Sequence, residues 1–270
     1  MHTIGPIKKL GTIWWFEFFD LLEVDPLVLE QSLLDIITQF ENNYSRFKSD
    51  SLIGRLNNGE SVADPSAELL DLLSVARNAY KQTDGVFNIA IANQLESVGY
   101  DPQYSFQSRE SADGVPNLED VLEVSESNVY LQSRTKIDLG GFAKGYLIDK
   151  LATYIQVEWH IQYFLINGGG DMYVTSDNGN PVMIGLADPQ NPELQVGSLQ
   201  LQNQGFAASS PYIRSWTDQD GAPHNHLVGN DNPTSTYVTA PTATQADIWA
   251  TTLALQQDIV VPKDVQVKIV

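Results

Sequence analysis

The stretch IDLGGFAKGYLIDKLA, residues 137–152, constrains the fold most because it sets two adjacent glycines between an extended and a helical segment. Residues 135–139 are typical of the end of a strand, and helical periodicity begins at Ala143. Gly140 and Gly141 free the backbone for a close approach to another group. Backbone N–H groups at such a helix start favour anions. The stretch therefore predicts a strand, a turn and a helix.

Asp138 and Lys144 flank this turn, and two interpretations of them stay open. A carboxylate and an ammonium can hold a polar ligand from two sides. Alternatively, the glycines serve packing and Asp138 caps the helix. The spacing matches neither the dinucleotide-binding pattern GxGxxG nor the P-loop pattern GxxxxGK[ST]. A Rossmann site and a P-loop are therefore excluded.

The charge of the chain excludes one class of partner. The 270 residues carry 34 acidic and 15 basic side chains, for a net charge of −19, so we expect no nucleic acid partner. Because there is no cysteine, disulfides, thiolate metal ligands and a cysteine nucleophile are excluded. No stretch is long and apolar enough to span a bilayer, so we expect no transmembrane segment.

The rest of the sequence predicts mixed strands and helices. Residues 26–40 and 66–83 carry apolar side chains at helical spacing, and Ser49 or Asp50 is a candidate cap of a short helical turn. Residues 93–118 are polar and rich in turn formers, so we expect an irregular insertion on the surface. Together with hairpin signals, these elements indicate an α+β fold.

An aromatic run near the N-terminus includes Trp14, Trp15, Phe16 and Phe18. It predicts a buried strand with one half-exposed face, and a platform for a cofactor is the alternative.

The segment PTATQADIWATTLAL predicts a helix that carries a possible metal site. Thr244 is a candidate N-cap. Asp247 and Thr251 are four positions apart, which puts their oxygens on one helix face. Together with nearby carbonyls, they would form an all-oxygen site of the kind that suits Mg²⁺ or Ca²⁺. The alternative is that Asp247 only complements the helix dipole while Thr251 packs.

Eight blocks in order resemble the ApbE family of flavin transferases, the FAD:protein FMN transferases, over nearly the whole chain. The blocks are GT before a strand, YSRFKSDSLIGRLN, TDGVFN, IDLGGFAKGYLIDKLA, INGGGDM, FAASSPYIR, HNHLV and PTATQADIWATTLAL. The resemblance implies a single α+β domain over residues 1–270, with mainly antiparallel sheets and flanking helices. It also implies a Mg²⁺-dependent enzyme that moves FMN from FAD to a threonine or serine of a target flavoprotein and releases AMP, with FAD hydrolysis as a further activity.

The resemblance also implies site residues. The metal ligands fall on Gly141, Asp247, Ala250 and Thr251. Catalytic candidates are Asp247 or His226 as proton acceptor and Lys144 as a second positive charge at the phosphate; the alternative for His226 is a solvated loop histidine. The implied FAD contacts are Leu10, Phe47, Asn57, Val86, Phe87, Asn88, Asp138, Lys144 and Val228.

Two departures from the family pattern motivate an alternative function. Residues 208–210 read Ala-Ser-Ser where the family has threonine-serine-glycine, and the histidine block continues as HLVGNDNPTS. A non-catalytic FAD-binding protein that has lost the acceptor step is therefore the alternative. Because no lipoprotein signal precedes the first block, we expect a cytoplasmic location, or a periplasmic or extracytoplasmic one if a processed signal has been removed.

Overall fold

A computed structural model describes residues 1–109, 114–176, 179–228 and 234–269 and shows a seven-stranded sheet at the centre of the molecule. All neighbouring strands in this sheet run antiparallel. With strands numbered along the chain, the spatial order is β1 (His2–Lys9), β2 (Thr12–Phe18), β6 (Tyr163–Gly168), β7 (Asp171–Ser176), β10 (Gln204–Ser209), β13 (Thr236–Ala240) and β14 (Gln266–Ile269).

Three smaller antiparallel sheets surround the central one. They consist of β3 (Val62–Ala63), β5 (Asn128–Leu131) and β4 (Leu122–Val124); of β8 (Val182–Ala187) and β9 (Gln195–Leu201); and of β11 (Ser215–Thr217) and β12 (Pro223–Asn225).

The helices flank these sheets, which confirms the predicted α+β class. They are α1 (Pro26–Tyr44), α2 (Leu52–Asn57), α3 (Ala67–Gln82), α4 (Ala92–Ser97), α5 (Leu118–Val121), α6 (Ala143–Glu158) and α7 (Ala243–Leu255).

Local capping explains where several helices begin. The side chain of Asp25 accepts a hydrogen bond from the backbone N–H of Leu27, one position after the N1 proline of α1. Ser66 caps α3 in the same way. The cap of α2 is Ser51, so the prediction of Ser49 or Asp50 is wrong by one or two positions.

Strand β2 alternates between buried and exposed side chains. Trp14, Phe16 and Phe18 are fully buried, whereas Trp15 lies on the other face and is 37% exposed. Because successive side chains of a strand point to opposite faces, this run fills the core between the sheet and the helices. The prediction of a buried strand is confirmed.

Two sequence predictions near α6 and α7 need correction. Residues 135–139 form no strand; Asp138 instead donates its backbone N–H to the Ile89 carbonyl. The N-cap of α7 is Thr242, and Thr244 donates its hydroxyl to the Asp149 carboxylate. Asp149, on α6, also accepts the Thr244 backbone N–H at 2.8 Å, so α6 anchors the start of α7.

The prediction of an irregular insertion over residues 93–118 is partly wrong. Its first residues belong to α4 and its last residue begins α5, while residues 110–113 lie outside the described ranges. Most described residues between 102 and 117 are exposed, as expected, but Tyr100 and Tyr104 pack against Phe47 and Tyr100 stacks on Trp216. Aromatic side chains that a polar composition concealed thus tie the segment to the rest of the fold.

Within the residues that the structure describes, no helix combines the length and the apolar character needed to cross a membrane.

Candidate active site

A cavity of about 700 Å³ lies between the start of α6, one face of α7 and the β11–β12 hairpin. Most of the predicted site residues line it, although they come from distant parts of the sequence. These are Leu10, Phe47, Val86, Phe87, Asn88, Asp138, Gly141, Lys144, His226, Val228, Asp247 and Thr251. A second cavity of about 720 Å³, between α3, α6 and α7, contains none of the predicted residues.

Asn57 and Ala250 do not line the cavity that contains the other predicted residues. The amide of Asn57 donates to the Ile137 carbonyl at 2.9 Å and accepts the Ile137 N–H at 2.8 Å, so it holds the backbone just before Asp138. The Ala250 carbonyl accepts a hydrogen bond from the Thr236 hydroxyl at 2.9 Å. Asn57 therefore positions the backbone before Asp138, whereas the Ala250 carbonyl is directed to Thr236 in the central sheet.

Asp138 is held by an arginine that the sequence analysis did not select. The Arg46 Nε donates to Asp138 Oδ2 at 2.5 Å, and the Gly140 N–H donates to Oδ1 at 2.6 Å. Helix α6 begins only at Ala143, and its N-cap Phe142 makes no side-chain capping bond. The alternative in which Asp138 caps the helix is therefore wrong, and its carboxylate faces the cavity.

Lys144 lies between two carboxylates in the wall of the cavity. Its ammonium contacts Asp171 and lies 3.4 Å from Asp247 Oδ2. Burial acts to lower the pKa of Lys144, but the carboxylates of Asp171 and Asp247 outweigh it and raise that pKa above its usual range. Lys144 is therefore a cation throughout the physiological pH range.

Asp171 is a site residue that the sequence analysis missed. It begins β7, directly after the three glycines of INGGGDM, and is almost fully buried in the cavity wall. The sequence feature that could have identified Asp171 is an acidic residue directly after a glycine-rich turn that exposes the backbone. Burial raises the pKa of Asp247, and the Asp171 carboxylate adds to this effect while Lys144 opposes it.

Possible oxygen ligands for a metal come from one face of α7 and from the turn before α6. The Thr251 hydroxyl donates to the Gly141 carbonyl at 3.3 Å, and Asp247 lies one turn earlier on α7. Asp247 Oδ2 also accepts the Gly145 N–H at 3.1 Å. A carboxylate, a hydroxyl and a carbonyl fit the preference of Mg²⁺ for oxygen ligands. Nowhere in the described ranges, here included, do three or more acidic, histidine or cysteine side chains form a group that suits a metal ion.

The turn TDGVFN supports the same wall of the cavity. Asp84 and Gly85 both have positive φ, of 49° and 84°, which confirms the predicted tight turn. The Thr83 hydroxyl accepts the Phe87 N–H at 3.0 Å and places that ring beside Gly141. Asn88 donates its amide to the Pro116 carbonyl at 2.9 Å.

Leu10 lies at the cavity edge in a strained turn with φ of 54° and donates its N–H to Glu41 Oε1 at 2.8 Å. Val228 is the last described residue before 229–233, so most of the altered segment after the histidine block lies outside the described ranges.

Four aromatic side chains form a wall of the cavity near Asp138. Phe47 and Tyr104 stack with ring centroids 5.0 Å apart and an interplanar angle of 9°, and Tyr100 stacks on Trp216 at 5.6 Å. The Arg46 guanidinium lies 4.2 Å from the Phe47 ring centroid. Such a wall suits a flat ring system, whereas the charged groups around Lys144 suit a polar part of the ligand.

His226 lines the cavity and is largely desolvated. Its backbone N–H donates to the Arg214 carbonyl at 3.2 Å, and its Nδ1 has no hydrogen-bond partner in the part of the chain that the structure describes. Burial lowers the pKa of His226 to about 4, and the positive charge of Arg214 adds to the shift. The imidazole is therefore neutral near pH 7 and can accept a proton. The alternative of a solvated loop histidine is wrong.

We expect acid to destabilise the protein through His226. Because the folded state holds its pKa at about 4, below the ordinary 6.5, the unfolded chain binds a proton more readily between these values. The stability that depends on a neutral His226 is thus fully present above pH 6.5 and is lost as the pH falls towards 4. Urea unfolding at both ends of this range should show a smaller acid loss in His226→Gln than in the wild type.

The same substitution at exposed His160 is the control and should keep the wild-type acid loss. Equal acid losses in all three proteins would contradict a desolvated His226.

The chain is similar in sequence to known proteins over most of its length. The chain is 25% identical to the FAD:protein FMN transferase of Escherichia coli (strain K12), over 93% of this chain and 77% of that protein. It is 26% identical to a protein of the same name from Klebsiella pneumoniae (strain 342), over 83% and 74% of the two chains.

Solved structures show the same fold. The ApbE protein of Thermotoga maritima has a TM-score of 0.80 at 20% identity, over 97% of this chain and 92% of that chain. The flavin transferase ApbE of Vibrio cholerae has a TM-score of 0.79 at 19% identity, over 99% and 93%. The sequence model described as the ApbE family matches residues 10–259, and the chain therefore belongs to the ApbE family.

Proposed function

We propose that this protein transfers FMN from FAD to a threonine or serine hydroxyl of a target flavoprotein and releases AMP. The observation that carries the proposal is one cavity lined both by stacked aromatic rings and by a carboxylate, a hydroxyl and a carbonyl. A dinucleotide with a flat ring and a pyrophosphate matches both kinds of lining. The names of its relatives support the same reaction.

The reaction replaces the phosphoanhydride bond of FAD with a phosphoester bond to the acceptor. The acceptor oxygen forms a bond to the phosphorus on the FMN side of the pyrophosphate, the bond from that phosphorus to the bridging oxygen breaks, and AMP leaves with that oxygen. Mg²⁺ held by Asp247, Thr251 and the Gly141 carbonyl would neutralise charge that develops on the phosphate oxygens. Lys144, held by Asp171 and Asp247, adds a fixed positive charge beside it.

His226 is the better supported proton acceptor for the incoming hydroxyl. Its Nδ1 lines the cavity and is buried without a hydrogen-bond partner within the described ranges, so it has a position open for a proton. Asp247, the other candidate, already accepts the Gly145 N–H and faces Lys144. If water takes the place of the acceptor, the same groups would hydrolyse FAD to FMN and AMP.

The test is to incubate the purified protein with FAD and Mg²⁺ and to follow AMP by chromatography, with and without a flavoprotein that offers an acceptor hydroxyl. We expect AMP together with a flavin bound covalently to the acceptor. AMP without covalent flavin would indicate hydrolysis alone. Bound FAD without any AMP would contradict the transferase proposal.

That last result would favour the alternative, a non-catalytic FAD-binding protein. Ser209 and Ser210, in the altered 208–210 segment, are both buried, and Ser235 donates its hydroxyl to Ser210 at 2.9 Å. The segment is thus packed in the wall of the cavity.

A further inference from the structure

Three cations line the cavity among the described residues, and two of them are neutralised by carboxylates. Arg46 pairs with Asp138, and Lys144 pairs with Asp171 and Asp247. Within the part of the chain that the structure describes, no carboxylate pairs with the third, Arg214.

The surroundings of Arg214 leave its guanidinium free to bind an anion. Its Nη1 donates to the Tyr100 hydroxyl at 3.3 Å, a long bond to a neutral group, and the side chain is only partly buried. A guanidinium has five N–H donors, so most of them remain for a ligand in the cavity.

Arg214 also lies close to both groups that would act on the phosphate. Its carbonyl accepts the His226 N–H across the base of the β11–β12 hairpin. Its charge is near enough to lower the pKa of His226 and to oppose the rise in the pKa of Lys144. The guanidinium is therefore at the part of the cavity where the polar half of a dinucleotide would lie.

A cation that is not neutralised is needed there because the site and the chain are acidic. Asp138, Asp171 and Asp247 line the same cavity, and the chain carries a net charge of −19. They would repel a pyrophosphate, which carries two negative charges. Arginine matches phosphate oxygens with parallel N–H donors and stays charged.

We propose that Arg214 binds the pyrophosphate of FAD and is a specificity-determining residue for a phosphate-bearing flavin. The inference rests on the proposed function in taking FAD as the ligand. It assigns to Arg214 a phosphate contact that the sequence analysis gave to Lys144 alone, since the ammonium of Lys144 is already shared by two carboxylates.

The test measures binding by flavin fluorescence, with FAD and riboflavin as probes. Arg214→Gln should weaken FAD binding about 10- to 100-fold, the usual effect of losing a hydrogen bond to a charged group, and should leave riboflavin binding unchanged. Arg214→Lys should restore part of the FAD affinity. Added salt should weaken FAD binding less in Arg214→Gln than in the wild type, because one ionic contact is gone.

The matched control is Arg55→Gln. Arg55 lies on α2, outside the cavity, and pairs with Glu60 at 2.8 Å. Its replacement by glutamine makes the same change in net charge as Arg214→Gln. It should bind FAD as the wild type does.

Wild-type FAD affinity in Arg214→Gln would overturn the proposal. An equal loss for FAD and riboflavin would also overturn it, since that result indicates a structural role. Normal FAD binding with slower transfer would assign Arg214 to the acceptor instead. Failure of the proposed function is a separate result, because it would appear as wild-type protein that releases no AMP whatever the binding data show.

Discussion

Asp247→Asn is expected to reduce Mg²⁺-dependent release of AMP from FAD by about a thousand-fold. Asparagine keeps the size of the side chain and an oxygen that can accept the Gly145 N–H, but it removes the only carboxylate of the proposed oxygen site. The charge of Lys144 remains compensated by Asp171, so the fold should be retained. AMP chromatography over a Mg²⁺ titration measures the loss, and circular dichroism checks the fold.

Asp149→Asn is the matched control for this substitution. Asp149, on α6, is a partly buried carboxylate that accepts the N–H groups of Ala243 and Thr244 at the start of α7, but it does not line the cavity of the proposed site. Its replacement should lower stability by about 1 kcal/mol, as for a helix cap, and leave the Mg²⁺ dependence unchanged. Full turnover in Asp247→Asn would show that the metal site lies elsewhere.

Gly145→Ala is expected to destabilise the protein and to reduce transfer about a hundred-fold. A Cβ at Gly145 would lie 2.4 Å from the Ala243 carbonyl oxygen and 2.9 Å from the Thr244 Cα. These are backbone atoms that cannot rotate away, so α6 and α7 must separate. Overpacking of this kind costs about 1–3 kcal/mol, against a gain of about 1 kcal/mol from helix propensity.

The loss of activity should exceed what the loss of stability explains. The N–H of Gly145 holds Asp247, so a shift between α6 and α7 moves the proposed metal ligand away from Thr251 and Gly141. Urea unfolding and AMP release from the same samples separate the two effects.

Gly114→Ala is the control, because a Cβ at Gly114 would meet no atom of the described residues within 4 Å. It should be neutral or stabilise the protein by about 0.5 kcal/mol. If Gly145→Ala were as stable and active as Gly114→Ala, the close contact between α6 and α7 would not hold Asp247 in place.

Local sequence patterns predicted the parts of the site that lie on one element. Asp247 and Thr251 share a helix face because four residues make about one turn, and both line the cavity as that spacing implies. The Asp-Gly turn before Phe87 follows from the same kind of local chemistry.

Local sequence patterns could not predict the contacts between segments that are distant in the chain. Arg46 meets Asp138 across 92 positions, and Lys144 meets Asp171 across 27. Neither separation has a period that a helix or strand would impose. The aromatic contacts of residues 100–106 were concealed in the same way, because a polar average composition does not show which side chains pack against distant segments.

The sequence by itself determined the α+β class, the main helices, the buried strand β2 and a helix bearing Asp247 and Thr251, because these depend on side-chain periodicity and capping. Only the tertiary structure decided that Asp171 compensates Lys144, that Arg214 is left without a carboxylate among the described residues, and that Gly145 must be glycine. Charge compensation and close packing are properties of groups brought together in space, so they are decided by which segments the fold makes neighbours.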